Sequence, residues 1–514
     1  MARLRLRRPR SPHLHRPPES PRLRSLASQS LIYGMGGIVS KLVGVFLLPI
    51  YVKPEYAGRA AFGTSELVMA AITALAIFLR LGITNSMSRF TVGDPDNHDW
   101  RPVVQTVFVS VLIASTVASL VGLLFLPQIA ELLQCSHTVA ATGIAGLWVT
   151  MNYDVIARVY RIERRARAFV VWTILNIVLT VILTFLLVVV WRFKAEGILL
   201  ANFVGTYIVF FILVIARWEV LGLHFDRALY RRMLSFALPL MPAGLALWAL
   251  NFADRFQVQR FAGKGDLGSY SIAAKLSLGI MLVLGAFQTA WPPFAHSIRG
   301  NDQARQVIRE VFTYWNAVMC WALVALTLVS APYVELALAS DVHNALPVVP
   351  LLMGGAVLYG AFTVVNMGVN ISMRTRMTPI ITGASALLNI GLNFWMIPAW
   401  SILGAGISTL IGYAALLWLG WWNAQQSFPV SYDWWRFAKI CAVTTGFCAL
   451  SLTIVPAASL IGIVIRGLLI VAFPFGLAAV GAVTAADRKR ARSLLAMRKG
   501  KQPDPGIDVE VAAP

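Results

Sequence analysis

The chain has 514 residues, of which 58% are hydrophobic and only 13% charged. Soluble domains run near half apolar and about a quarter charged; here apolar runs reach the ~20 residues that a helical membrane span needs. That balance excludes a soluble globular enzyme, a disordered chain and a disulfide scaffold, and it turns the formal net charge of +21 into a question of topology first.

The first 28 residues carry eight arginines with prolines between them and read as a basic, disordered tail. The apolar stretch that follows lacks a cleavage site and reads as a retained helix, not a signal peptide. Fourteen spans are predicted in all: 29–52, 64–86, 103–126, 138–157, 168–191, 197–216, 235–257, 267–290, 311–331, 346–370, 378–398, 402–422, 437–456 and 461–484. The joins are short, and none can hold a soluble domain. The four cysteines have no CxxC spacing and no histidine cluster beside them, so they read as packing residues, with no metal site.

Charge fixes the predicted orientation. With the N-terminus inside, the inward tails and loops carry 32 of the 44 Lys and Arg, and the outward loops only Lys53, Arg59, Arg192, Lys194, Arg260 and Lys264. The remaining six lie within spans: Lys41, Arg80, Arg255, Lys275, Lys439 and Arg466. So strict an alternation predicts an even number of spans with both termini cytoplasmic. It accounts for the basic charge without nucleic acid, and it predicts contact with anionic lipid.

The sequence also reads as a duplication. Ser30-Leu-Ile-Tyr-Gly-Met-Gly-Gly, a span and Pro54-Glu-Tyr-Ala-Gly58 are answered about 205 residues later by Ser235-Phe-Ala-Leu-Pro-Leu-Met-Pro242, a span and Lys264-Gly-Asp-Leu-Gly-Ser-Tyr270. Internal symmetry of this kind marks transporters that rock two bundles around a central site.

These segments resemble oligosaccharide flippases of the MOP superfamily, the group that holds Wzx-type polysaccharide flippases, MATE exporters and lipid II flippases. The resemblance rests on the opening motif, on Pro54-Glu-Tyr-Ala-Gly58, on Leu81-Gly-Ile followed by Arg89-Phe, and on Leu238-Pro-Leu-Met-Pro with Asn251-Phe-Ala-Asp-Arg255 and Gly268-Ser-Tyr-Ser-Ile-Ala-Ala-Lys275. Ala57 departs from it, because the family usually has the glycine directly after the tyrosine. The resemblance implies an all-α polytopic membrane protein with two six-helix lobes in a V and a trailing helix pair. The domains would then be a cytoplasmic tail 1–28, a lobe 29–216, a cytoplasmic linker 217–234, a second lobe 235–422, the pair 437–484 and a cytoplasmic tail 485–514. It implies no cofactor and no covalent chemistry.

Charges within spans are costly and usually face a cavity or a partner. Lys41 lies ~12 residues into its span, roughly 18 Å deep at ~1.5 Å per residue, with Gly37 and Gly44 on its face. Lys275 has Ser271 and Gly279 beside it, and Trp248, Asn251 and Arg255 share one face with Asp254 nearby. Arg80 is close enough to a span end to snorkel, Asp154 and Arg158 read as a local i, i+4 pair, and Arg466 reads as structural or snorkelling. The expected substrate cavity is therefore Lys41, Arg80, Asn251, Asp254, Arg255 and Lys275; buried structural pairs, such as Lys41 with Asp254, are the competing reading. Lys41, Arg80, Arg255 and Lys275 outnumber the deep acids Asp154 and Asp254. A positive field of that kind suits the pyrophosphate of a polyprenyl-linked glycan.

The expected function is a flippase that moves lipid-linked oligosaccharide from the inner to the outer leaflet of the bacterial cytoplasmic membrane, for cell-surface polysaccharide. Its expected partners are the anionic lipid-linked glycan, membrane lipids, H+ or Na+ as coupling ion, and the glycosyltransferases or polymerase of the same pathway. A MATE-like exporter of small solutes, a lipid II flippase and a membrane enzyme on lipid-linked sugars are the alternatives. The last is disfavoured because Glu55 and Glu131 stand alone in short outer loops.

Overall fold

A computed structural model describes residues 39, 41–92, 99–163, 165–298, 303–338, 340–372, 375–453 and 458–482. The two predicted tails, the opening Ser30 motif and Gly37 lie outside the described residues. Among the described residues every element is helical. They run as α1 (Leu48–Val52), α2 (Arg59–Arg80), α3 (Ile83–Val92), α4 (Arg101–Leu124), α5 (His137–Ile162), α6 (Ala166–Thr184) and α7 (Lys194–Ala216). There follow α8 (Arg227–Ala237), α9 (Met241–Ser297), α10 (Ala304–Ala337), α11 (Val348–Ile371), α12 (Thr378–Ser427), α13 (Trp434–Thr453) and α14 (Leu460–Ala479).

Local chemistry sets many of these ends. The Ser136 hydroxyl accepts from the Val139 amide to start α5, Asp226 from Ala228 and Leu229 to start α8, and Ser459 from Gly462 to start α14. Pro102 and Pro379 sit in the first turns of α4 and α12, where a missing N–H costs nothing. Leu81 and Gly82 stop α2 in the left-handed region, with φ of 48° and 72°. A Cβ on Gly82 would come within 2.8 Å of the Ala237 carbonyl oxygen, so the glycine also admits the end of α8.

Nine helices among the described residues are long and apolar enough to cross a membrane. Two of them, α9 with 57 residues and α12 with 50, are hairpins. α9 breaks at Gly263 (φ 87°) and α12 at Trp400 and Ser401. The proof of reversal is a pair of contacts: Tyr270 bonds Asp254, and Ser408 bonds Asn393. A continuous helix would hold residues so spaced about 23 Å apart. The tips of the two hairpins are tied, since Ser401 donates to the Asp266 carboxylate at 2.6 Å.

Alternate connections gather at opposite ends of the bundle. At the cation-poor end, Arg59 reaches Asp341 (3.2 Å), Gln259 donates to the Leu133 carbonyl (2.7 Å), Ser136 donates to Glu196 (2.9 Å) and the Ala458 amide donates to Glu335 (3.0 Å). At the cation-rich end, Glu163 pairs with Arg217 and Arg165, Arg89 lies 4.3 Å over the Phe236 ring, Ser372 donates to the Ser427 carbonyl, and Arg436 to that of Ala482. This is the arrangement that the cation alternation requires.

The chain is thus a multi-pass membrane protein. Its first-half helices pack chiefly on one another, as do α9 to α12 of the second half, and the halves meet mainly along α2 against α9. α6 turns Val171, Ile174, Val178 and Ile182 outward, an apolar stripe at helical spacing fit for lipid. α13 and α14 lie on α10, where the Trp321 indole donates to the Ile470 carbonyl at 2.9 Å. Arg466 on α14 is 3% exposed and donates to the Ser451 hydroxyl and carbonyl, both at 3.1 Å, which makes it a structural residue and not a snorkelling one. All four cysteines are free.

Candidate functional site

α2 and α9 cross at their closest near the cation-poor end, and small residues allow it. A Cβ on Gly63 would lie 2.6 Å from the Gly268 amide nitrogen, and a Cβ on Gly268 2.6 Å from the Arg59 carbonyl carbon. No larger residue fits either position while the backbones stay so close. One turn farther along α2, Glu66 meets Lys275 of α9 at 2.9 Å. Their side chains keep 16% and 26% of their surface exposed, so the pair is half-sheltered. Deeper again, the Trp248 indole donates across the seam to the Ala70 carbonyl at 3.1 Å. Glycine contact, ion pair and indole bond together shut this end between the halves.

A second polar group lies inside the second half, between the two arms of α9 and the helices α11 and α12. Asn251, Asp254, Arg255, Tyr270, Thr409 and Tyr413 line a cavity of about 100 Å³. Asp254 is 2% exposed; it accepts a hydrogen bond from the Tyr270 hydroxyl and faces the Arg255 guanidinium at 3.6 Å. Arg255 also donates to the Asn251 carbonyl at 2.7 Å and lies 4.7 Å from the Phe252 ring. A buried carboxylate persists only with such company. The set is still incomplete: Asp254 Oδ1, Arg255 Nε and both amide atoms of nearby Asn389 are buried without a hydrogen-bond partner.

Arg80 and Lys41 stand elsewhere. Arg80 bonds Asp154 at 3.0 Å and the Thr150 carbonyl at 3.2 Å, and Asp154 also takes Arg158 at 3.1 Å. The predicted local pair is therefore one half of a triad that fastens α2 to α5. Lys41 is exposed and lines an apolar groove of about 250 Å³ with Val45 and Phe46, with Leu276 and Gly279 of α9, and with Tyr333 of α10. It forms no ion pair among the described residues. Tyr333 closes one side by donating to the Val45 carbonyl at 2.7 Å.

The six expected cavity residues thus occupy four places rather than one. Asn251, Asp254 and Arg255 stay together; Lys275, Arg80 and Lys41 each stand apart. Asp254 is taken by Tyr270 and Arg255, so the alternative pairing of Lys41 with Asp254 does not form. The count of deep acids also needs correction, because Glu66 belongs with Asp154 and Asp254. Glu66 falls near the end of a predicted span; its place one turn after Gly63, opposite the Gly268…Lys275 stretch, is the signal that the sequence carries. Tyr270 belongs to the Gly268-Ser-Tyr motif, and the sequence alone gives it no partner. Asn389 and Asn393, four apart in an apolar span, are the pattern of a polar stripe facing protein.

A family model described as polysaccharide biosynthesis protein matches residues 26–299, more than half of the chain. No curated protein matches it by sequence. Among solved structures, the lipid II flippase MurJ in its inward closed conformation is similar at a TM-score of 0.70 with 12% identity, over 88% of this chain and 98% of that one. A multidrug resistance MATE family transporter of the MOP superfamily is similar in its inward-facing form at 0.62 with 17% identity, over 75% of this chain and 93% of that one. An outward-facing multidrug resistance MATE family transporter of the MOP superfamily gives 0.53 with 17% identity, over 78% of this chain and 95% of that one. The fold is therefore the one these transporters share.

Proposed function

We propose that this chain, which belongs to the polysaccharide biosynthesis protein family, is a membrane flippase that carries polyprenyl-pyrophosphate-linked oligosaccharide between leaflets by alternating access. The observation that carries this reading is the seam of α2 and α9: two halves held together at one end by close glycines, one partly buried ion pair and an indole bond. Such a seam is tight enough to seal and has few enough polar contacts to part.

The charge alternation supports cytoplasmic termini in a bacterial inner membrane, with the cation-poor end outside. The structure is then shut to the outside, in keeping with its greater similarity to the inward-facing MATE form than to the outward-facing one. Of the four cations expected in the cavity, Lys41 is the one that forms no ion pair among the described residues, and the groove beside it is apolar. A pyrophosphate at Lys41 with its isoprenoid along the groove satisfies both. When the seam parts, Lys275 loses Glu66 and gains freedom to take the phosphate, so the cargo itself would favour opening.

The test is leaflet accessibility of a polyprenyl-pyrophosphate glycan in proteoliposomes. The wild type should expose it on both faces, and Lys41→Glu should fail while Lys41→Arg retains transport. A MATE-like exporter coupled to H+ or Na+ is the second reading, favoured by the buried Asp254 beside a cavity. It would be preferred if an ion gradient drove small-solute efflux while the lipid-linked glycan stayed on one leaflet.

A further inference from the structure

At the cation-rich end, away from the seam, the start of α10 and the turn before α13 enclose a pocket of about 400 Å³. Arg305, Arg309, Thr313, Tyr314, Ser431 and Arg436 line it, with Glu310 as its single acid. Arg305 and Arg309 are four residues apart on one exposed face of α10, where like charges repel. Neither forms an ion pair among the described residues. Arg305 is steadied 5.4 Å over the Phe428 ring, and Arg436 by two hydrogen bonds to the Ala482 carbonyl, at 3.1 and 2.8 Å. Arg305 is thus positioned by a contact that does not neutralise it. Beside the arginines, and sharing Pro429 and Ser431 with them, lies a depression lined by Trp421, Tyr432 and Trp434. The neighbouring Trp418, Trp422 and Trp435 are 60%, 59% and 71% exposed. Exposed indoles in such number belong at the boundary of bilayer and water.

We propose that this pocket is a binding site for a phosphate-bearing group at the membrane surface, gripped by Arg305 and Arg309. Guanidinium forks match phosphate oxygens geometrically, and an anion between the two arginines removes their repulsion. The group is either the headgroup of an anionic phospholipid, with the tryptophan-lined depression against its glycerol and upper chains, or a soluble phosphate. The site does not depend on the flippase reading. It gives the trailing pair a task, since α13 builds one wall and the turn after α14 holds Arg436.

The full chain, purified in a neutral detergent, is titrated with phosphatidylglycerol, with phosphatidylcholine and with inorganic phosphate alone, and binding is read by thermal shift. The comparison is with Arg305→Gln/Arg309→Gln and with a control of equal charge loss on α8, Arg227→Gln/Arg231→Gln. The site predicts about thirty-fold weaker phosphatidylglycerol binding in the first variant, from two cations near the surface, and near wild-type binding in the control. Stabilisation of the wild type by inorganic phosphate, lost in the first variant, assigns the site to soluble phosphate. Equal binding by all three proteins, or equal loss in both variants, overturns it. Should the first variant not fold, wild-type fluorescence decides: brominated phosphatidylglycerol must quench the indoles more than brominated phosphatidylcholine, and equal quenching overturns the site.

Discussion

Gly268→Ala puts the seam to the test. The added Cβ would lie 2.6 Å from the Arg59 carbonyl carbon, whereas carbon atoms rest at about 3.5–4.0 Å. The obstacle is backbone, so no side chain can swing away and α2 must move off α9 by about 1 Å. Overpacking of this size costs about 1–3 kcal/mol. On the alternating-access reading proposed above, the cost falls on the shut seam alone, because the two helices part there when the seam opens. The ratio of shut to open protein should therefore fall about 5- to 150-fold. The assay is pulsed electron paramagnetic resonance between spin labels at Glu55 and Asn344, exposed positions of the two halves at the cation-poor end, in a background without Cys135, Cys320, Cys441 and Cys448. Wild type should give one short distance; Gly268→Ala should add a longer one. Gly63→Ala should do the same, since its Cβ would lie 2.6 Å from the Gly268 nitrogen. Gly285→Ala in the same helix, with nothing within 4 Å, should change nothing. A folded Gly268→Ala protein with the wild-type distance distribution would falsify the seam.

Four further outcomes follow from the same geometry. Lys275→Gln leaves Glu66 without its cation in a half-sheltered seam and should weaken the shut state by about 1–2 kcal/mol; Glu66→Gln/Lys275→Gln should be milder than either single change, and equal distance shifts in all three would remove the pair from the gate. Lys41→Glu should stop glycan transport more completely than Lys41→Ala, with Lys41→Arg mildest; equal transport by the Ala and Glu forms at matched expression would return Lys41 to a structural role. Asp154→Asn strands both Arg80 and Arg158 and should lower the thermal midpoint more than Arg158→Gln does; the reverse order would mean that Arg80 does not rely on it. Asp226→Ala removes the cap of α8. Hydrogen bonds from the Leu229 and Ala228 amides hold the Asp226 carboxyl below its usual range, so its stabilisation is complete above the ordinary aspartate pKa and fades as pH falls through the lowered one. Wild type and variant should differ in midpoint at neutral pH and converge in acid, and a gap that persists in acid would contradict the capping role.

The topology was legible because two independent physical patterns agree. Apolar length marks the spans, and the cation alternation marks which joins share a side; the contacts of Arg59 with Asp341 and of Arg89 with Phe236 then fall at opposite ends, as the alternation requires. The motif glycines were legible as motif but not as mechanism. Gly82 admits the Ala237 carbonyl and Gly268 admits α2, and both constraints come from helices distant in sequence. The hairpins of α9 and α12 were predicted as separate spans, and the Tyr270 and Ser408 bonds fold each pair together as expected.

The site was less legible because a charge inventory has no partner information. Counted along the sequence, four deep cations look like one positive cavity. In the fold, Arg80 is answered by Asp154, Lys275 by Glu66 and Arg255 by Asp254, each over a distance of 3.0, 2.9 and 3.6 Å respectively. Only the Arg255–Asp254 pair is adjacent in sequence; the other two need the packing of α2 on α5 and on α9. A half-sheltered pair costs less than a lone charge at that depth, so the cations that look most available in the sequence are those the fold has occupied. On the flippase reading proposed above, the positive field is concentrated at Lys41 while the seam is shut, and the release of a second cation is tied to the parting of α2 from α9. Under this arrangement affinity for an anionic cargo should differ between the two states, which is the property that lets cargo binding drive a conformational change.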